Sequence, residues 1–130
     1  MKSVIYDKQY ERYLKDLIII GTNRQLNIKL QDYNCKIKRS GVDILCGYVI
    51  LQNDTEIIWE NLNLLEVHGG ITYNEFEEIN GEIKQVIGFD CGHGGDYIPY
   101  CHEVGYYRDF KYVKKELLKL IKQLKKAGIY

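Results

Sequence analysis

From Asp109 to Ala127 the chain repeats apolar residues every three or four positions, so that Val113, Leu117, Leu120, Ile121 and Leu124 share one face and lysines fill the others. Asp109 suits an N-cap, Gly128 suits a C-terminal stop, and the lysines of the last turns complement the helix dipole. A helix with one apolar face needs a second layer to cover it, which excludes most folds without a sheet or a bundle. A second pattern, Tyr6, Tyr10, Tyr13, Leu14, Leu17 and Ile18, predicts an amphipathic helix over about residues 7–17 with Asp7 as its cap. Between the two, strand character predominates. Leu26-Ile28-Leu30 and Cys35-Ile37 alternate, Ile44 to Leu51 is largely apolar, and the stretches Glu56 to Trp59, Leu64 to Tyr73 and Ile83 to Phe89 are rich in aliphatic and aromatic residues. Arg39-Ser40-Gly41, Asn53-Asp54 and Asn80-Gly81 read as turns, the last as the best hairpin signal. Helix, short strands and helix without βαβ alternation predict a single α+β domain over residues 1–130, an antiparallel sheet flanked by N-terminal and C-terminal helices.

Charge and cysteine usage narrow the function classes. Eighteen basic residues balance eighteen acidic ones, so the chain has no global attraction to nucleic acid or to an anionic membrane, although its last twenty residues hold seven lysines against one acid, Glu116. The apolar run Leu17-Ile18-Ile19-Ile20 is too short to span a bilayer or to form a signal-peptide core, which predicts a cytoplasmic protein without a membrane partner. Cys35, Cys46, Cys91 and Cys101 show no CxxC spacing and are expected as reduced thiols.

The candidate site is a short central stretch. All three histidines lie there, His68 in Val67-His68-Gly69-Gly70-Ile71-Thr72-Tyr73, His93 in Phe89-Asp90-Cys91-Gly92-His93-Gly94-Gly95-Asp96, and His102 nine residues further on, and eight of the twelve glycines fall between Gly69 and Gly105. Glycine at this density suits sharp turns and close backbone approach to a ligand. A hairpin between the first two histidine segments would bring them together.

Three chemistries fit these residue types. His68 and His93 can act as a general acid–base pair across a phosphodiester or glycosidic bond, with Asp90 or Asp96 orienting a ring and Arg108 stabilising an oxyanion. The same histidines with Asp90 and Asp96, and His102 as a further ligand, can bind a divalent metal that activates water. Cys91 paired with a histidine can serve as a nucleophile, against the blander reading of a small buried thiol. A fourth reading needs no reaction. Gly69, Gly70, Gly92, Gly94 and Gly95 can offer backbone amides to phosphate, with Thr72 and Arg108 adding contacts and Tyr73, Tyr97 and Tyr100 stacking a base.

The blocks Cys35-Lys36-Ile37-Lys38-Arg39, Leu45-Cys46-Gly47-Tyr48-Val49, Val67 to Tyr73, Ile87 to Asp96, and Tyr107-Arg108-Asp109 with Tyr112-Val113 and Gln123-Leu124 follow one another in an order that resembles a family of short bacteriophage and prophage proteins. The resemblance covers roughly residues 33–124, leaving out the first helix. Many members carry small alanines where this chain has Gly92 and Gly94. It implies a viral origin more firmly than any reaction. In that setting a small neutral domain with a compact polar site is expected to antagonise host defence by cleaving a cyclic nucleotide messenger. Sequestering that messenger in the same pocket, within a homo-oligomer, is the alternative, and a metal-dependent hydrolase the next.

Overall fold

The computed structural model describes residues 4–53, 55–101 and 103–130. In chain order the elements are α1 (Val4–Ile20), β1 (Gln25–Leu30), β2 (Tyr33–Arg39), β3 (Leu45–Ile50), α2 (Trp59–Leu62), β4 (Tyr73–Ile79), β5 (Glu82–Asp90) and α3 (Phe110–Lys126). The strands form one antiparallel sheet in the order β1-β2-β3-β5-β4, an α+β domain with a helix at each end of the chain, as the hydrophobic patterning predicts. Among the described residues no helix is long and apolar enough to cross a membrane.

β1, β2 and β3 form a meander, and the connection over residues 51–72 carries the chain past β5 to the sheet edge, where β4 begins. The Asn80-Gly81 turn then returns β5 between β4 and β3; both turn residues have positive φ, 52° and 83°, which this pair tolerates. α3 supplies the second layer. Its Val113, Leu117, Leu120, Ile121 and Leu124 are buried in one cluster with Ile37, Leu45, Val49, Ile87 and Phe89. Burial of each such side chain stabilises the fold by about 1.5–3 kcal/mol. Asp109 caps α3 by accepting from the Tyr112 amide, and Gly128, at φ 73°, ends it while Ile129 N bonds back to Leu124 O.

Three expectations need correction. The first helix runs over Val4–Ile20, so Asp7 lies inside it, and the side turned inward keeps Tyr13 of the predicted face but combines it with polar residues rather than with Leu14, Leu17 and Ile18. Gln9, Tyr13, Asp16 and Ile20 are buried while Leu14, Leu17 and Ile18 face solvent. The reason is local hydrogen bonding: Gln9 accepts from the Tyr107 amide and Asp16 from the Phe110 amide, so α1 holds the entry to α3 through side-chain carbonyls. Glu56 to Trp59 does not form a strand. Its backbone is pinned by Gln85, which receives the Ile57 amide and donates to the Ile57 carbonyl, before the single turn of α2. Nor does Leu64 to Tyr73. Leu65, Val67 and Ile71 pack on the core from a loop, and the edge strand is instead the acidic Tyr73–Ile79. Charged side chains on an edge discourage pairing with other chains, which explains why β4 lacks the apolar signature of a strand. Asp54 of the Asn53-Asp54 turn lies outside the described residues.

Candidate functional site

The loop between β5 and α3 wraps the sheet end and meets the turn that carries His68. Val67 O accepts from Gly70 N at 2.8 Å, and the turn needs positive φ at Gly69 and Gly70, 69° and 80°. The turn is tied to α3 by Glu116, whose carboxylate accepts from the His68 amide at 2.9 Å.

His68 is bonded at both ring nitrogens. Nε2 lies 2.7 Å from Asp96 Oδ2 and Nδ1 lies 2.6 Å from the Tyr112 hydroxyl. An ionised carboxylate can only accept, so in the neutral ring the proton sits on Nε2 and Tyr112 O–H donates to Nδ1. Asp96 is wholly buried and takes three hydrogen bonds, from His68, from the His93 amide at 3.0 Å and from Arg108 Nε at 2.7 Å. Burial alone would push its carboxyl up. Arg108, His68 and the His93 amide outweigh that and hold it below the ordinary carboxylate range. Arg108 gains in turn: burial works against its charge, but the Asp96 pair keeps the guanidinium more firmly protonated than usual. The guanidinium carbon sits 4.8 Å from the Tyr112 ring centre, and among the described residues only Nε of its three nitrogens is hydrogen-bonded. Burial, and next Glu116, raise the Tyr112 hydroxyl, which therefore stays a donor at neutral pH.

The His93 ring centre lies 5.8 Å from that of His68. His93 Nε2 is 3.2 Å from Asp90 Oδ1, outside hydrogen-bond geometry, and its side chain is 34% exposed against 13% for His68. Its ring occupies the place a side chain at Gly69 would need, since a Cβ there would stand 2.1 Å from Nε2. Asp90 is held from two sides, by Thr72 Oγ1 at 2.9 Å and by the Gly92 amide at 3.0 Å.

The structure thus joins His68, His93, Asp90, Asp96, Gly69, Thr72 and Arg108, all expected at the site. It changes the part played by the glycine loop. The amides of Gly92 and His93 are spent on Asp90 and Asp96, so the turn winds around the protein's own carboxylates rather than leaving those donors to a phosphate. Gly95 gives its carbonyl to Tyr106 N, while a Cβ at Gly70 or Gly94 would meet open space. Tyr73 falls elsewhere. It pairs with Gly88 on β5, packs edge-on against Tyr48 and donates to Glu77, on the sheet face away from α3. Tyr97 is buried with Tyr13 and Tyr107, so it cannot stack a ligand base, whereas Tyr100 is exposed beside Tyr10. Cys91 is a core residue whose thiol burial pushes far up, assisted by the fields of Asp96 and Cys46, which overturns the nucleophile reading. His102 lies outside the described residues. Among the described residues no group of three or more His, Cys, Asp or Glu side chains is arranged to hold a metal ion.

Sequence reasoning missed Tyr112 and Glu116. Both lie on the first turns of α3, four residues apart, and therefore on one helical face. The available signal was Glu116 itself, the one acid in a lysine-rich helix and close to its apolar stripe. Compared with known protein families, curated proteins and solved structures, this chain finds no match.

Proposed function

We propose that this protein is a small phosphodiesterase that cleaves a cyclic nucleotide signal, a role that suits a phage protein acting against host defence. The observation that carries the reading is the continuous chain Tyr112–His68–Asp96–Arg108 with a second imidazole, His93, 5.8 Å from the first. His68 has no free nitrogen, so it would act through Tyr112: the Tyr112 oxygen takes a proton from the water that forms the new P–O bond while its own proton passes to Nδ1, and the buried Asp96 stabilises the imidazolium that forms. His93, the more exposed ring, gives a proton to the leaving ester oxygen as the scissile P–O bond breaks. The unengaged amino groups of Arg108 suit a phosphoryl oxygen.

The test is to incubate the purified protein with a panel of cyclic oligonucleotides and cyclic ADP-ribose variants and follow each by chromatography and mass spectrometry before and after heat denaturation. A product that grows with time, and that His93→Gln and Tyr112→Phe each slow by about 10²–10⁴-fold, supports the assignment. Turnover untouched by both substitutions overturns it. The full occupancy of His68 and the burial of Asp96 also favour a second reading, a rigid site that holds the nucleotide unchanged. There the ligand disappears stoichiometrically and returns intact on heating.

A further inference from the structure

The outward surface of α3 is dominated by lysine. At 100° per residue Lys111, Lys115, Lys119, Lys122 and Lys126 fall within one sector of roughly 80° and follow one another about once per turn along roughly 22 Å of helix. All five are exposed. The helix's one acid, Glu116, is turned inward to the His68 amide, and its nearest approach to the stripe is 4.0 Å from Lys119 Nζ. Like charges four residues apart, as at 111 and 115, 115 and 119, and 122 and 126, oppose helix formation. A helix that only needed solubility would intersperse glutamates. The chain's acids stand elsewhere, with Glu75, Glu78 and Glu82 exposed on the β4–β5 hairpin at the sheet edge. Zero net charge over the whole chain therefore leaves room for a local cationic footprint along α3.

We propose that the α3 lysine stripe docks the phosphate backbone of a nucleic acid strand. One cation per turn, about 5–6 Å apart, matches the scale of successive phosphates on an extended strand and gives a linear rather than a planar footprint. A lipid surface fits less well. The stripe is flanked by Lys114, Lys125 and Gln123, and α3 itself exposes no aromatic or aliphatic side chain to enter a headgroup layer. This surface is independent of the phosphodiesterase reading, since none of the five lysines belongs to the Tyr112–His68–Asp96–Arg108 chain.

The experiment is fluorescence anisotropy of a labelled oligothymidylate with the full chain over a range of salt concentrations, for the parent and for Lys115→Gln/Lys122→Gln/Lys126→Gln. Five phosphate contacts predict a log–log salt slope of about −3.5, and the triple substitution should shallow it by about 2 and weaken binding about tenfold or more at moderate salt. Circular dichroism of the triple variant checks that α3 persists. No binding at low salt, a slope the substitutions do not change, or equal competition by polyglutamate or phosphatidylserine vesicles overturns the proposal. His93→Gln should leave the binding curve unchanged, so loss of nucleotide turnover and loss of strand binding are read separately.

Discussion

At the scale of single residues the buried Asp96 sets the pH behaviour. Its carboxyl ionises at lower pH in the folded chain than in an unfolded one, so its contribution to stability is complete above the ordinary carboxylate range and is lost as pH falls below about 4 and through its lowered value. Urea midpoints measured from neutral to acid pH should show this loss, and Asp96→Asn, which leaves Arg108 unpaired, should flatten the acid limb while costing about 3 kcal/mol at neutral pH. Gly69 and His93 make a second test. Gly69→Ala places a methyl in the imidazole at a backbone angle that L-residues avoid, and is expected to destabilise by about 2–3 kcal/mol. In a His93→Ala background the same change should cost only the backbone part, about 1 kcal/mol, so a thermodynamic cycle over the four proteins reads the coupling directly. His68, His93, Asp90 and Asp96 were legible because glycines frame them in the sequence, and Arg108 as a cation close behind them. Tyr112 was not, because a tyrosine on an amphipathic helix looks like packing until His68 is seen beside it.

At the scale of elements the two helices contrast. α3 was readable from cap to stop because its apolar face is the one it buries. α1 was readable as a helix but not in orientation, since its buried side works through Gln9 and Asp16 on the backbone of residues 107–110. Burial pushes the Asp16 carboxyl up even against its hydrogen bonds with Tyr107 and the Phe110 amide, so this contact favours acid over neutral pH, the reverse of Asp96. The junction between the helices is closed by Asp109, which caps α3 and pairs with Arg12 of α1 at 3.0 Å. Asp109→Ala should lower stability by about 1 kcal/mol, nearly all of it from the cap because the Arg12 pair is exposed, and Arg12→Ala in calorimetry should move the melting temperature far less. The strand Tyr73–Ile79 was hidden for the opposite reason to α1. Its charges protect an edge, and alternation of burial is weak there.

At the scale of the whole molecule, fold class followed from the sequence, whereas the distribution of charge did not. A count of lysines and glutamates is blind to which faces they occupy, and only the packing of α3 over β2 and β3 separates them from the acidic hairpin. The same packing explains the thiols. Cys35 and Cys91 lie in the core beneath the helix, Cys46 is buried on the sheet, and Cys101 alone among the four is exposed. α3 follows every strand in the chain, so a ribosome makes the sheet before it makes the cover. Until Val113 to Leu124 emerge, Ile37, Leu45, Val49, Ile87 and Phe89 have little more than Ile20, Leu62 and the loop residues Val67 and Ile71 of that cluster to cover them, and the nascent chain must be kept from its neighbours.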